Sequence, residues 1–168
     1  LCVSGINHGS NASINIIYSG TMSAAMEASI EGIHSIGFSL EDYAMDANFD
    51  PGTPWIRLII EHVLSNGLAD SKLLNVNIPH SSLGPIRGMK ICRQAEGRWE
   101  EEFVEGVDPR GQKFYWLTGN FATNDTVEGT DISALREGFI SIVPSSHDLT
   151  HHRAIPALKS LESIKHIV

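Results

Sequence analysis

Residues that could do phosphate chemistry lie close together in the first part of the chain. Asn7 and Asn11 place amide oxygens in a segment where Gly5 and Gly9 let the backbone bend and approach a ligand closely. Such oxygens suit hard cations such as Mg²⁺. A predicted helix then begins on residues that offer hydroxyls and free N–H groups to an anion: Ser19, Gly20 and Thr21. A metal-holding loop beside an anion-holding helix start indicates phosphate chemistry.

The elements that must position these residues alternate between strand and helix. Apolar runs and helical spacing predict, in chain order, a strand at 1–3, a helix at 21–33 and a strand at 36–40. A second helix is predicted to begin after Thr53 as N-cap, with Pro54 in its first turn, and to end at 66–67. A third strand is predicted at 73–78, where Pro79 ends it. The acidic, turn-rich residues 42–52 are predicted to form a loop. This order predicts an α/β layered domain with a mainly parallel sheet.

The second half of the chain predicts a β-rich part over 80–168, after an α/β part over 1–79. Strands are predicted at 89–93 and 139–143. A β-hairpin is predicted at about 98–119, because the turn residues Asp-Pro-Arg-Gly separate two strand-like arms. The second arm is aromatic, so the ribbon needs a surface to pack on. A C-terminal helix with one apolar face is predicted from residues that recur every three positions: Ile155, Leu158, Leu161 and Ile164.

The composition indicates a globular protein and argues against several classes. Of 168 residues, 42% are hydrophobic and 19% charged, which suits a packed core. The net charge of −8 argues against a nucleic-acid polymer as partner, and the apolar runs are too short to cross a bilayer. Cys2 and Cys92 are expected to be buried thiols, and the chain opens on no signal-peptide pattern, so a cytoplasmic location is predicted. P-loop, dinucleotide-binding, zinc-protease and serine-hydrolase motifs are absent from the sequence.

An ordered set of motifs covers nearly the whole chain. SGINHGSN at 4–11 is followed, seven residues later, by SGTMSAAMEA. The later motifs are LNVNIP at 74–79, DPRG at 108–111 leading to Tyr115-Trp116, GTD at 129–131, and ISIVP at 140–144 with DLT at 148–150. In this order they resemble the SurE family of survival-protein nucleotidases, which are metal-dependent phosphatases that cleave nucleoside monophosphates.

The resemblance implies a three-layer Rossmann-like fold and places candidate site residues in the first two motifs. In the family pattern the asparagine of Ser-Gly-Ile-Asn, Asn7 here, is a metal ligand, and we take it as the candidate catalytic residue. The candidate phosphate-binding residues are Ser19, Gly20 and Thr21, although helix capping alone would use the same N–H groups. The loop near the substrate is expected to be shaped by Ser4, Gly5 and Asn11, with or without direct contact to the substrate. An oxygen-only site favours Mg²⁺ or Mn²⁺ as the cofactor. The implied partners are a nucleoside monophosphate and further copies of the chain, in a dimer or tetramer joined through a protruding hairpin and the C-terminal segment. No membrane partner is implied.

One part of the family pattern is missing from this sequence. Family members open on a strand that ends in Asn-Asp-Asp-Gly, whose aspartates hold the metal, and a serine from a following loop completes the site. This sequence contains no Asp-Asp pair. We therefore expect a preceding segment or another chain to supply these ligands. The alternative is a catalytically incomplete fragment that acts as a phosphate-binding or oligomerisation module.

Several further residues leave two interpretations open. Tyr18 either lines the pocket or packs beside the helix. Asp131 and Arg110 are candidates for catalysis, although turn or interface roles are preferred. Possible zinc ligands or structural contacts lie in one segment: His147, Asp148, His151 and His152. Two of these histidines are four residues apart and would face one metal on a helix, but the segment follows a strand and a proline.

Overall fold

The computed structural model describes residues 1–125 and 127–164, which form a five-stranded sheet and a separate β-hairpin. The strands are β1 (Cys2–His8), β2 (Ser35–Leu40), β3 (Leu73–Ile78), β4 (Met89–Ile91), β5 (Arg98–Val107), β6 (Lys113–Ala122) and β7 (Ile140–Ser145). The main sheet has the order β1-β2-β3-β7-β4, in which β1, β2 and β3 are parallel and β7 runs antiparallel to β3. The predicted α/β fold with a mainly parallel sheet is confirmed.

The helices are α1 (Gly20–Ile30), α2 (Thr53–Asn66), α3 (Asp131–Arg136) and the short α4 (Ile155–Leu158). A 3₁₀ turn, Asp50–Gly52, leads directly into α2, so Thr53 is the first helical residue and not the predicted N-cap. Gly67 adopts a φ of 70° and ends α2, as the sequence predicts. The bounds of α1 differ from the prediction by one residue at its start and three at its end.

The hydrophobic core lies between the sheet and the helices on its two faces. On one face α2 buries Ile59 and Val63 against strand side chains that include Val76. On the other face α1 buries Met22 against Leu73, which points away from Val76 because successive strand side chains alternate. Each such burial contributes about 1.5–3 kcal/mol to folding. The sheet is therefore the middle of three layers, and its parallel strands are fixed by packing on both sides.

The predicted hairpin is present and pairs Arg98 with Ala122 at its base and Val107 with Lys113 near its tip. At the tip the Asp108 carboxylate accepts hydrogen bonds from the backbone N–H groups of Arg110 and Gln112, both at 2.8 Å. Arg110 therefore belongs to a turn. Large apolar side chains along both arms are exposed: Phe103, Val104, Val107, Phe114, Tyr115, Trp116 and Leu117.

Two segments differ in detail from their predictions. The first strand continues to His8, where the sequence predicts a loop from Ser4, because residues 7–8 pair with β2 across a register shift that follows Ser4. The C-terminal helix is divided into a 3₁₀ turn, one α-helical turn and a second 3₁₀ turn: His152–Ala154, Ile155–Leu158 and Lys159–Ser163.

Candidate functional site

A pocket of about 630 Å³ opens where the polypeptide leaves the carboxyl end of β1. Its walls come from the 7–19 segment, from Tyr43 in the loop after β2, and from Trp99 and residues 117–119 of the hairpin. In open α/β sheets ligands bind outside the carboxyl ends of the parallel strands, and this pocket lies at that edge.

Asn7 is oriented by two hydrogen bonds that leave its carbonyl oxygen available. Its Nδ2 donates to the backbone oxygens of His8 and Gly9, at 2.8 and 3.0 Å. Among the described residues no donor meets Asn7 Oδ1, and the residue lines the pocket. A fixed amide oxygen of this kind is a ligand that Mg²⁺ and Mn²⁺ accept.

The loop after β1 rests on a buried network of neutral amides. Asn77 Oδ1 accepts from the backbone N–H of Asn11 at 2.8 Å and from Ser10 Oγ at 3.4 Å. Asn11 Nδ2 donates to Ser39 Oγ at 2.6 Å, and Asn75 Nδ2 donates to the Asn11 backbone oxygen at 2.9 Å. Asn11 therefore anchors the loop to β2 and β3.

Sequence reasoning missed the part that Asn75 and Asn77 play in this network. Both are buried on β3, and Asn77 Nδ2 donates to Asn75 Oδ1 at 3.0 Å. The available signal was two asparagines at alternate positions of an otherwise apolar strand. Buried polar groups of that kind need partners, so they mark a place where another segment is held.

The start of α1 adjoins the pocket. Ser19 is buried, lines the pocket and caps the helix, because its Oγ accepts from the backbone N–H of Met22 at 3.0 Å. In the described part of the chain no oxygen accepts from the N–H groups of Gly20 and Thr21. Nothing lies within 4 Å of the position that a Gly20 Cβ would take, so the space beside the first residue of α1 is open. A helix start with free N–H groups favours a bound anion.

The structure brings only some of the predicted site residues to the pocket. Asn7, Asn11 and Ser19 line it, whereas Gly20 and Thr21 stand beside it in the first turn of α1. The remaining two predicted residues, Ser4 and Gly5, lie inside β1 and line no part of the pocket. Gly5 has a φ of 110°, and a Cβ there would overlap the Phe38 carbonyl oxygen, so this position shapes the strand that leads to the pocket.

Asp131 is fully buried and acts as a shared acceptor away from solvent. Its carboxylate accepts from the backbone N–H groups of Ser13 at 2.8 Å, Ala95 at 2.9 Å and Ile132 at 2.8 Å. It therefore joins the loop after β1, the segment before the hairpin and the start of α3. This arrangement agrees with the preferred non-catalytic interpretation of Asp131.

The histidine-rich segment makes local contacts. Hydrogen bonds from Thr150 and from His152 lower the pKa of the Asp148 carboxyl below its ordinary value. The His152 Nε2 lies 2.7 Å from Asp148 Oδ2. Within residues 1–125 and 127–164, no three His, Cys, Asp or Glu side chains group as a metal site would require.

A second hollow of about 630 Å³ lies at the base of the hairpin. Four of the charged side chains that line it form two pairs: Arg93 with Asp125 at 2.7 Å and Arg98 with Glu100 at 2.8 Å. The pocket beside Asn7 differs, since it has a free amide oxygen on its wall and free N–H groups next to it. We therefore regard the Asn7 pocket as the candidate site.

The fold and this pocket together define an α/β protein with a candidate ligand site at the carboxyl ends of its parallel strands. The family model for "Survival protein SurE" matches residues 1–101. The chain belongs to the SurE family.

Relatives and solved structures agree with this assignment. The chain is 56% identical over 160 residues to "5'-nucleotidase SurE" of Christiangramia forsetii and 55% identical over 160 residues to the protein of that name from Flavobacterium psychrophilum. Each alignment covers 95% of this chain and 62% of the relative. The crystal structure of the SurE protein from Aquifex aeolicus matches with a TM-score of 0.77 at 36% identity, over 96% of this chain and 64% of that one. The chain thus spans about three fifths of the length of the curated relatives it matches.

In the described residues, no helix combines the length and the hydropathy that a membrane crossing demands.

Proposed function

We propose that this chain forms part of a metal-dependent phosphatase that hydrolyses nucleoside monophosphates to nucleoside and phosphate. Membership of the SurE family and the name "5'-nucleotidase SurE" carried by its relatives support the proposal. The observation that carries it within this chain is the free Oδ1 of Asn7, oriented by two hydrogen bonds beside a helix start with free N–H groups.

In this proposal Asn7 Oδ1 is one ligand of a divalent cation, Mg²⁺ or Mn²⁺, because both prefer oxygen donors. The other ligands are the aspartates of the family's Asn-Asp-Asp-Gly segment and the serine of the loop that follows it, a segment that this sequence does not contain. The bound cation supplies polarisation of a phosphoryl oxygen and neutralises charge that develops on it. The N–H groups of Gly20 and Thr21 hold the other phosphoryl oxygens, and Ser19 keeps that helix start in place by capping it.

The proposal extends to assembly and location. Exposed aromatic side chains on the hairpin, such as Tyr115 and Trp116, support a homo-oligomer formed through it and the C-terminal segment, as dimer or tetramer. Cys2 and Cys92 are both free thiols, which supports a reducing cytoplasmic compartment. The net charge of −8 argues against a nucleic-acid polymer as partner, and a metal ion with a helix start can still hold one phosphate group in an acidic protein.

The test measures phosphate released from AMP and GMP with Mg²⁺ or Mn²⁺, and again with EDTA. It uses the protein in which this sequence follows an Asn-Asp-Asp-Gly segment. We expect metal-dependent release, and we expect Asn7→Ala to lower turnover at least about tenfold, because a ligand of the cation is lost. Asn66→Ala is the matched control, since Asn66 also donates its amide to a backbone oxygen, at 2.9 Å, but lies outside the pocket.

Near-normal turnover by Asn7→Ala at saturating Mg²⁺ would contradict the assignment of Asn7. Release that persists unchanged in EDTA would contradict metal dependence. Binding of phosphate without any release would favour the alternative, a phosphate-binding module.

A further inference from the structure

Part of the pocket wall is aromatic, unlike the polar part that contains Asn7. Tyr18, Tyr43 and Trp99 all line the pocket, and the two tyrosines are about 70% and 68% exposed respectively. No Lys, Arg, Asp or Glu from the described part of the chain lines it. Exposed aromatic rings around an uncharged pocket favour a flat, neutral, polarisable ligand group.

Tyr43 has one supported side and one free side. A Cβ at Gly9 would overlap the Tyr43 ring carbons, so the ring packs directly on the Gly9 backbone. Gly9 is buried and its N–H donates to the Asp42 backbone oxygen at 2.9 Å, which ties the loop after β2 to the loop after β1. The ring itself stays largely exposed at the pocket. A ring held from beneath and open above is a stacking platform.

Trp99 is held on the hairpin side of the same pocket. Its Nε1 donates to Asn15 Oδ1 at 2.8 Å, which connects the base of the hairpin to the segment before α1. Its ring also makes an edge-on contact with Phe121, with centroids 5.9 Å apart. Trp99 is therefore held in place as part of the pocket wall. The pocket volume of about 630 Å³ falls within the range of small-molecule sites.

We propose that the aromatic side of this pocket is the nucleoside subsite, in which the base of the substrate stacks on the ring of Tyr43. The inference rests on the proposed function, since it assigns the base end of the substrate whose phosphate lies near Asn7. Stacking tolerates every base, and among the described residues no Lys, Arg, Asp or Glu lines the pocket to read the base edge. The subsite therefore distinguishes nucleotides from phosphate esters without a base more strongly than it distinguishes one base from another.

The test compares AMP with ribose 5-phosphate, which has the same phosphate and sugar but no base. In Tyr43→Ala we expect the KM for AMP to rise about tenfold or more, because base–aromatic stacking is lost. We expect the KM for ribose 5-phosphate to stay within about twofold, and Tyr43→Phe to keep the wild-type KM for AMP within about twofold, since the ring is retained. Met45→Ala is the control, because Met45 is in the same loop, 94% exposed and outside the pocket.

The outcomes separate this subsite from the proposed function. If Tyr43→Ala hydrolyses both esters and its KM changes equally for both, or for neither, the subsite is wrong. The proposed phosphatase activity would still be supported. If neither ester is hydrolysed, calorimetric titration with AMP decides. Binding that weakens about tenfold in Tyr43→Ala but not in Met45→Ala supports the subsite without the phosphatase. Equal binding by all variants, or no binding by the wild type, overturns it.

Discussion

Replacement of Asp131 by alanine is expected to destabilise the fold strongly. The Asp131 carboxylate is fully buried and accepts from three buried backbone N–H groups, those of Ser13, Ala95 and Ile132, at 2.8–2.9 Å. Alanine removes the acceptor and leaves all three donors without a partner. The Asp131 carboxylate would then no longer connect the loop after β1, the segment before the hairpin and the start of α3.

The magnitude follows from the number of orphaned donors. A buried N–H without a partner costs about 1–3 kcal/mol, so three cost about 3–9 kcal/mol. No salt bridge among the described residues includes Asp131, so burial of its charge carries a desolvation cost that no cation offsets. Alanine removes that cost, which offsets part of the loss in the free energy of unfolding. We therefore expect a loss of about 4 kcal/mol in the free energy of unfolding, which corresponds to a Tm lower by about 8–16 °C for a domain of this size.

The assay is urea unfolding followed by tryptophan fluorescence, with Asp108→Ala as the matched control. Asp108 also accepts from two backbone N–H groups, those of Arg110 and Gln112 at 2.8 Å, but at an exposed turn where water replaces it. Its loss is expected to cost under about 1 kcal/mol. Asp131→Asn keeps one acceptor oxygen and should fall between the two. If Asp131→Ala cost no more than Asp108→Ala, the account of a shared buried acceptor would be refuted.

Two further predictions concern single ionisable side chains. The hydrogen bond from Arg93 lowers the pKa of Asp125 to about 2, so this pair stabilises the fold above pH about 4 and its contribution disappears as the pH falls towards 2. Arg93→Gln should raise the pKa of Asp125 in an NMR titration; an unchanged pKa would contradict the pairing. Burial raises the pKa of the Cys92 thiol, so a thiol reagent at pH 8 should label the partly exposed Cys2 well before Cys92, as followed by peptide mass. Equal labelling rates in the native protein would contradict the buried position.

The parallel part of the sheet could be predicted from sequence because its strands are buried on both faces. All six residues of β2 and all six of β3 are buried, and both are short uncharged segments with several apolar residues between helical segments, although Ser, Gly or Asn interrupt the apolar residues of each. The first strand was predicted too short, since Ser, Gly and Asn favour loops when considered locally. Its pairing with β2 as far as His8 depends on a neighbouring strand and outweighs that preference.

Other parts of the fold depend on contacts that no local pattern reveals. The antiparallel placement of β7 beside β3, and the short β4 at the sheet edge, are properties of the assembled sheet. The C-terminal segment is instructive, because its apolar residues recur every three positions. That is the repeat of a 3₁₀ helix, with 3.0 residues per turn, and much of the segment adopts that form.

Some residues of the candidate site could be predicted from the sequence and others could not. Asn7 could be singled out from the sequence, chiefly through the resemblance, and the start of α1 through its small polar residues. Tyr43 and Trp99 could not, because they lie 36 and 92 positions beyond Asn7 and reach the pocket only after the loop after β2 and the hairpin fold over it. Residues that belong to different elements share a pocket through tertiary packing, which a single sequence does not encode at any fixed spacing.

The network around Asn11 is neutral, and this has a consequence for how a cation would bind beside it. Asn11, Asn75, Asn77 and Ser39 satisfy one another with amide and hydroxyl groups, so the part of the loop next to Asn7 is fixed without a buried charge, whereas Ser13 farther along is held by the Asp131 carboxylate. A carboxylate in this network would either carry a large desolvation cost or compete with the pocket for the cation. Neutral amides do neither. They position the loop, so in the proposed function the electrostatic character of the pocket would depend on Asn7 Oδ1, on the helix start and on the carboxylates of the Asn-Asp-Asp-Gly segment.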